Sequence, residues 1–222
     1  TNAMRIVPLG ESALVVEFGR EISPELNDKA IALARRLNEK PFPGFREAVP
    51  CYASVGIYFD PLVFRPEDKS VFERVYTEVE ARLNQLSVRS SVASRLIEVP
   101  VDFSDAAGPD LAEICEILSI TRDRFIETYC GREYRVYMLG FLPGFAYMGE
   151  LDPSIAFPRL PTPRLRVPRG SVGIAGRQTG IYPAESPGGW RLIGRTALEL
   201  FDANRAEPSL FSPGDRVRFV AV

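Results

Sequence analysis

Between Leu139 and Thr196 the chain gathers the side chains that could recognise a ligand. Three Pro-Arg pairs, Pro158-Arg159, Pro163-Arg164 and Pro168-Arg169, recur along it. A proline narrows the backbone ensemble, so each arginine is presented at a smaller entropic cost. Guanidinium forks suit a carboxylate or a phosphate, although a loop of solvated charges is the plainer reading. Upstream, Phe141, Pro143, Phe145 and Tyr147 alternate within a Gly/Pro frame. If extended, they share one face, either as an apolar wall for a ligand or partner or as barrel core. Gln178 and Thr179 could offer hydrogen bonds to a carbonyl or amide. Tyr182-Pro183 and Ser186-Pro187-Gly188-Gly189 make turns around Trp190, the one tryptophan, which could anchor a contact or plug a barrel.

Other chemistry is excluded by what the chain lacks. It has no histidine, so it cannot by itself build a Ser-His-Asp or Cys-His triad, or a histidine metal site. Its only lysines are Lys29, Lys40 and Lys69, so a Schiff-base or P-loop lysine is excluded from the second half. The glycine-rich run Ser171–Gly180 is not a Walker A motif. Cys51, Cys115 and Cys130 are odd in number and form no C-x-x-C, which argues against a disulfide framework or structural zinc and fits a reducing cytoplasm. No apolar run reaches membrane-spanning length. No metal is expected. A net charge of −2 disfavours nucleic-acid binding. The segment 139–196 nevertheless carries seven arginines against three acids, a local +4 suited to an anion or an acidic partner.

The elements that must position these residues fall into two groups. Strands at 5–9 and 13–18, a helix opened by Ser23-Pro24, strands at 48–51 and 54–59, a helix from about Pro66 and a strand at 95–101 predict an α+β N-terminal domain over residues 4–101. Leu26, Ala30, Ala34 and Leu37 mark the inner face of the first helix; Phe72, Val75, Val79, Leu83 and Leu86 mark that of the second. Two short helices, 110–118 and 122–129, open a second domain over residues 102–222, the latter capped by Thr121. Strands at 134–139, 170–175, 190–194, 197–201 and 215–221, set between Gly/Pro turns, predict a mainly-β, closed or nearly closed barrel.

The runs YRVYMLGFLPGFAYMGELDP, PRLPTPRLRVPRGSVGIAGRQTGIYP and SPGGWRLIGRT closely resemble the family of the 5-oxoprolinase B subunit, also called allophanate hydrolase subunit 1 and the sporulation-kinase inhibitor KipI. GESALVVEFG, YASVGIYFDP and Gly108-Pro109-Asp110-Leu111 match it more loosely. The resemblance implies an α/β N-terminal domain and a cyclophilin-like barrel, without implying prolyl isomerase activity. It implies a non-autonomous subunit of an ATP-dependent enzyme opening 5-oxoproline to glutamate. The expected partners are a second subunit of the C type, equivalent to allophanate hydrolase subunit 2, and a lactam-handling subunit of the A type. Whether ATP touches this chain is left open, and its catalytic residues are unassigned. On this reading Arg159 and Arg164 hold a carboxylate or phosphate, Gln178 and Tyr182 hydrogen-bond the lactam or a phosphorylated intermediate, and Phe141, Phe145, Tyr147 and Trp190 line the substrate or partner cleft. The alternatives are a regulator of a histidine kinase and a component of an allophanate hydrolase or urea carboxylase, with any biotin carried on another protein. The family often has a histidine near Glu127-Thr128-Tyr129-Cys130 and a Glu-Phe pair where this chain has Ala106-Ala107. If those groups take part in chemistry, this member is impaired or uses Tyr129; the loss is read as a sign that the indispensable groups lie elsewhere.

Overall fold

The computed structural model describes residues 4–64, 70–86 and 94–222. It divides into two compact units, Thr1–Ala93 and Ser94–Val222. In the first, strands β1 (Arg5–Pro8), β2 (Ala13–Glu17), β3 (Phe45–Pro50) and β4 (Ser54–Phe59) form an antiparallel sheet in the order β1-β2-β4-β3. Helix α1 (Pro24–Glu39) starts where the sequence predicts: the Leu26 N–H donates to the Ser23 Oγ at 3.1 Å, and Pro24 occupies the first turn. Its Ala30, Leu33, Ala34 and Leu37 pack with Leu14, Val16, Val55 and Ile57 of the sheet. Asn27, fully buried among them, is satisfied by donating to the Cys51 carbonyl at 3.0 Å. Helix α2 (Val71–Leu83) begins with a reciprocal Ser70/Glu73 capping box, and its Val75 and Val79 complete this core. The predicted start at Pro66 lies outside the described residues.

The second unit is mixed α and β. Helices α3 (Leu111–Leu118) and α4 (Arg122–Cys130) match the prediction, and Thr121 caps α4 as expected. The strands are β5 (Leu96–Val101), β6 (Glu133–Leu139), β7 (Ala146–Gly149), β8 (Arg164–Val167), β9 (Ser171–Ala175), β10 (Gln178–Ile181), β11 (Ser186–Gly188), β12 (Arg191–Arg195) and β13 (Arg216–Ala221). Seven of them form one sheet in the order β12-β9-β10-β7-β6-β13-β5, while β8 and β11 pair as a separate ribbon. Asp102, just past β5, and Arg195, at the end of β12, exchange backbone hydrogen bonds of 2.8 and 2.9 Å. The two edges of the sheet thereby meet and nearly close it into a barrel.

Three differences from expectation have physical causes. The strand at 95–101 forms, but it pairs in parallel with β13 instead of adding to the first sheet. Its alternation, with Val99 and Val101 buried, states which face is inward and says nothing about which strand lies alongside. Residues 197–201 are not a strand: only Phe201 bridges, to Ser209. Strands β7, β8, β10 and β11 escape prediction because each has three or four residues and carries Gly, Pro or Arg where β-formers are expected.

The barrel interior is closed by aromatic rings from α4, β6 and β13. Tyr129 stands 4.9 Å from Phe219 and 5.2 Å from Tyr134, ring centre to ring centre. The Thr179 hydroxyl donates to the Gly173 carbonyl at 3.0 Å, so the Tyr129 hydroxyl must be the donor in its 2.7 Å bond to Thr179. Tyr134 donates to the Tyr129 carbonyl at 2.7 Å. Both rings are fully buried, so Tyr129 is a core residue and is not placed to take over lost chemistry. Burial pushes both phenols far above the ordinary tyrosine range, Tyr129 most of all. A phenol whose folded pKa is raised stabilises the fold below its unfolded pKa of about 10, and that contribution fades as pH climbs beyond it. Stability should therefore be level up to about pH 9.5 and fall above pH 10 by up to ~1.4 kcal/mol per pH unit for each such phenol. In absorbance at 295 nm these tyrosines should ionise only together with the loss of near-ultraviolet dichroism, and Tyr129→Phe should shallow the fall. Smooth ionisation of every tyrosine before unfolding would contradict this packing.

Candidate functional site

The pleat of the sheet sends alternate side chains to opposite sides. Ala146 and Met148 of β7, Val172 and Ile174 of β9, Ile181 of β10 and Ile193 of β12 enter the barrel core. The intervening Tyr147, Ala175 and Leu192 belong to a second, smaller cluster with Phe145, Val167, Tyr182 and Trp190. Glycines make room for it. A Cβ on Gly180 would lie 3.0 Å from the Phe145 ring, and one on Gly173 would lie 3.1 Å from the Trp190 Cβ. The outer side of the sheet is thus a depression that the large rings fill.

Phe145 is delivered by the turn between β6 and β7, where the structure departs from the predicted extended run. The Gly140 N–H donates to the Phe145 carbonyl at 3.1 Å, and the Phe145 N–H donates to the Leu142 carbonyl at 3.0 Å. Gly144 has φ +84°, and a Cβ there would fall 2.7 Å from Phe201. Phe141 also takes a positive φ, 69°. Phe141, Pro143, Phe145 and Tyr147 therefore do not share a strand face, yet the three rings still converge. Phe145 is the hub, at 4.8 Å from Tyr147, 5.4 Å from Tyr182, 5.5 Å from Trp190 and 5.6 Å from Phe141. Tyr182 is threaded under the β11 backbone, where any side chain at position 188 would collide with its hydroxyl. Phe145, Tyr182 and Trp190 are buried, Tyr147 is half-buried and Phe141 is 60% exposed. The Arg159 guanidinium lies 6.0 Å above the Trp190 ring. Gln178 shares the outward side of β10 with Gly180, opposite Gly149 and Ala175. Burial raises the phenol pKa of Tyr147 and of Tyr182, and Arg159 offsets part of both shifts. Both hydroxyls stay protonated at neutral pH and act as hydrogen-bonding groups, not bases.

Arg164 stands apart from the expected pattern. Its Nη2 donates to the buried Asp110 carboxylate at 2.6 Å, so this charge is already compensated. The same holds along the local +4 segment: Arg166 pairs with Glu185, Arg169 with Glu199, Arg177 with Glu150 and Arg191 with Glu113. Asp110 was not singled out from sequence, although it lies in the Gly-Pro-Asp-Leu motif. Its second oxygen accepts the Leu192 N–H at 2.6 Å, and its own N–H donates to the Leu192 carbonyl at 3.0 Å. It thus takes the place of a neighbouring strand on the free edge of β12. Gly108 allows the approach, since a Cβ there would sit 2.2 Å from the Ile193 carbonyl oxygen. The described residues hold no cluster of acids or cysteines able to bind a metal ion.

Asp110→Ala would orphan both the Leu192 N–H and a largely buried guanidinium, and should destabilise the protein by about 2–3 kcal/mol. Arg164→Gln leaves Asp110 its bond to Leu192 and the Arg191 guanidinium 4.0 Å away, and should cost less, about 1 kcal/mol. Urea unfolding of the two variants checks the order; the reverse order would show that Asp110 is not the node.

Comparison with known proteins agrees with this architecture. The family model for the carboxyltransferase domain, subdomain C and D, matches residues 4–211. The 5-oxoprolinase B subunit of Bacillus subtilis is 42% identical, covering 100% of this chain and 94% of its own. That of Escherichia coli O157:H7 is 39% identical over 96% of this chain and 93% of its own. The crystal structure of TTHA0988 superposes with a TM-score of 0.82 at 37% identity, over 95% of this chain but only 40% of that longer one. With its sequence matched nearly end to end and its fold reproduced, the chain belongs to the carboxyltransferase subdomain C and D family.

Proposed function

We propose that this chain is the B subunit of an ATP-dependent 5-oxoprolinase, which opens the lactam of 5-oxoproline to glutamate, and that it works only in a complex. The observation that carries the reading is similarity to 5-oxoprolinase B subunits over more than nine-tenths of their length. The chemistry of the site is consistent with a dependent role. The chain has no histidine, its ring-bearing site holds phenols that stay neutral, and Asp110 is committed to Arg164 and Leu192. Such a surface can bind and orient but has no evident group to move a proton. Proton transfer and phosphoryl activation then belong to the partners, one of the C type and one lactam-handling protein of the A type. ATP is used by the assembly. Phe141 and the half-buried Tyr147, backed by Phe145 and Trp190, form the wall that faces the substrate or the partner; Gln178 supplies hydrogen bonds at its margin and the buried Tyr182 from behind it.

The same reading gives the second unit a cyclophilin-like barrel and makes the first an α+β domain of its own, ending before β5. Among the described residues no helix is long and apolar enough to cross a membrane, and we place the complex in the cytoplasm.

Reconstitution tests the proposal. ATP-dependent hydrolysis of 5-oxoproline should require this chain together with both partners and vanish when any one is omitted. Robust turnover by this chain alone, or no turnover with partners proven competent beside another protein of the B type, would overturn it.

A further inference from the structure

We propose that Arg159 is the anchor of a carboxylate subsite, in which a small ring-bearing monocarboxylate lies against the half-buried Tyr147, beside the buried Trp190. The choice of 5-oxoproline as its probe rests on the function proposed above; the site itself rests on geometry. Five arginines of segment 139–196 are held by carboxylates of this chain, and Arg195 donates to the Arg169 carbonyl. Arg159 is the exception: it is exposed, and among the described residues no acid pairs with it. Its guanidinium carbon lies 6.0 Å from the centre of the Trp190 ring, a contact that leaves its N–H donors for a ligand.

The neighbouring groups add donors and no further negative charge. The Tyr182 hydroxyl accepts the Trp190 backbone N–H, and among the described residues none accepts its own proton. Arg159 and Arg164 both bear on this phenol. The Arg164 Nη1 is buried without a partner, although its charge is compensated by Asp110. The exposed fork of Arg159 therefore offers one uncompensated positive charge beside a wall of aromatic rings, with Arg164 Nη1 and the Tyr182 O–H as buried donors of the same neighbourhood. That balance suits a monoanion with an apolar body. A phosphate carrying two charges would leave one unpaired beside apolar rings. A guanidinium stays charged throughout, and both phenols stay protonated at neutral pH, so binding should be level from pH 6 to 9.

Trp190 is the only tryptophan of this chain, so in the isolated chain its fluorescence reports this site alone. The test titrates the intact chain, and then the reconstituted complex, with 5-oxoproline, with its neutral carboxamide and with inorganic phosphate. We expect saturable change with 5-oxoproline, at least tenfold weaker binding of the carboxamide and of phosphate, and about tenfold loss in Arg159→Gln, equivalent to ~1.4 kcal/mol. Arg159→Lys should recover part of that loss, and Arg169→Gln should bind as the parent does. Equal binding of the carboxamide, tighter binding of phosphate, an unaltered Arg159→Gln or no saturation in either preparation would each overturn the subsite. Normal turnover and KM in a complex carrying Arg159→Gln would overturn the subsite and leave the proposed function standing. An inactive complex in which this chain still binds 5-oxoproline through Arg159 would do the reverse.

Discussion

The second unit depends on how the free edge of β12 is finished. A sheet of seven strands that curls toward closure must hide the unpaired N–H and C=O groups of its last strand. Here two short pieces of the chain before α3 do so. Asp102 bonds to Arg195 through the backbone on both sides, and Asp110 bonds to Leu192 through its backbone N–H and one carboxylate oxygen. The other oxygen of Asp110 is left to hold Arg164. One buried carboxylate thus ties together the closing strand, the start of α3 and the β8–β11 ribbon. Because β12 follows directly on Trp190, the same tie fixes where the aromatic site stands.

That site lies outside the barrel, not in its lumen. The interior is filled by its own rings and by the hydrogen-bonded run from Tyr134 through Tyr129 and Thr179 to Gly173. Gly173 belongs to both sides. Its carbonyl ends the interior run, and its missing side chain admits Trp190 on the outer face. The core and the outer aromatic cluster are therefore mechanically joined through β9 and β10.

Much of this could be read from residues alone. The helices were legible because their signals are local: Ser23-Pro24, the Ser70/Glu73 pair and Thr121 each satisfy a helix end within one turn. The convergence of Phe141, Phe145, Tyr147, Tyr182 and Trp190 was legible as composition, although not as geometry, since the stretch 140–145 turns where alternation suggested extension. Partnership over long distance was not legible. Nothing in residues 96–101 says that their neighbour is 216–221, and nothing near Arg164 says that its acid is 54 residues upstream. The local +4 was likewise a property of the segment and not of the surface, because Glu113 and Glu199, outside it, compensate arginines within it.

The outer face of β9 and β10 owes its shape to groups that are not there. Gly173 and Gly180 contribute no atoms to the aromatic cluster, yet their bareness sets how deeply Trp190 and Phe145 can sink. An alanine scan measures what is lost when side chains are cut away, so it is blind to a mould made by their absence. For such a surface the informative experiment runs in the opposite direction: a single methyl group added at 173 would press on Trp190 and reveal how finely the recess is gauged, whereas one at 180 would also meet the Ala146 carbonyl oxygen.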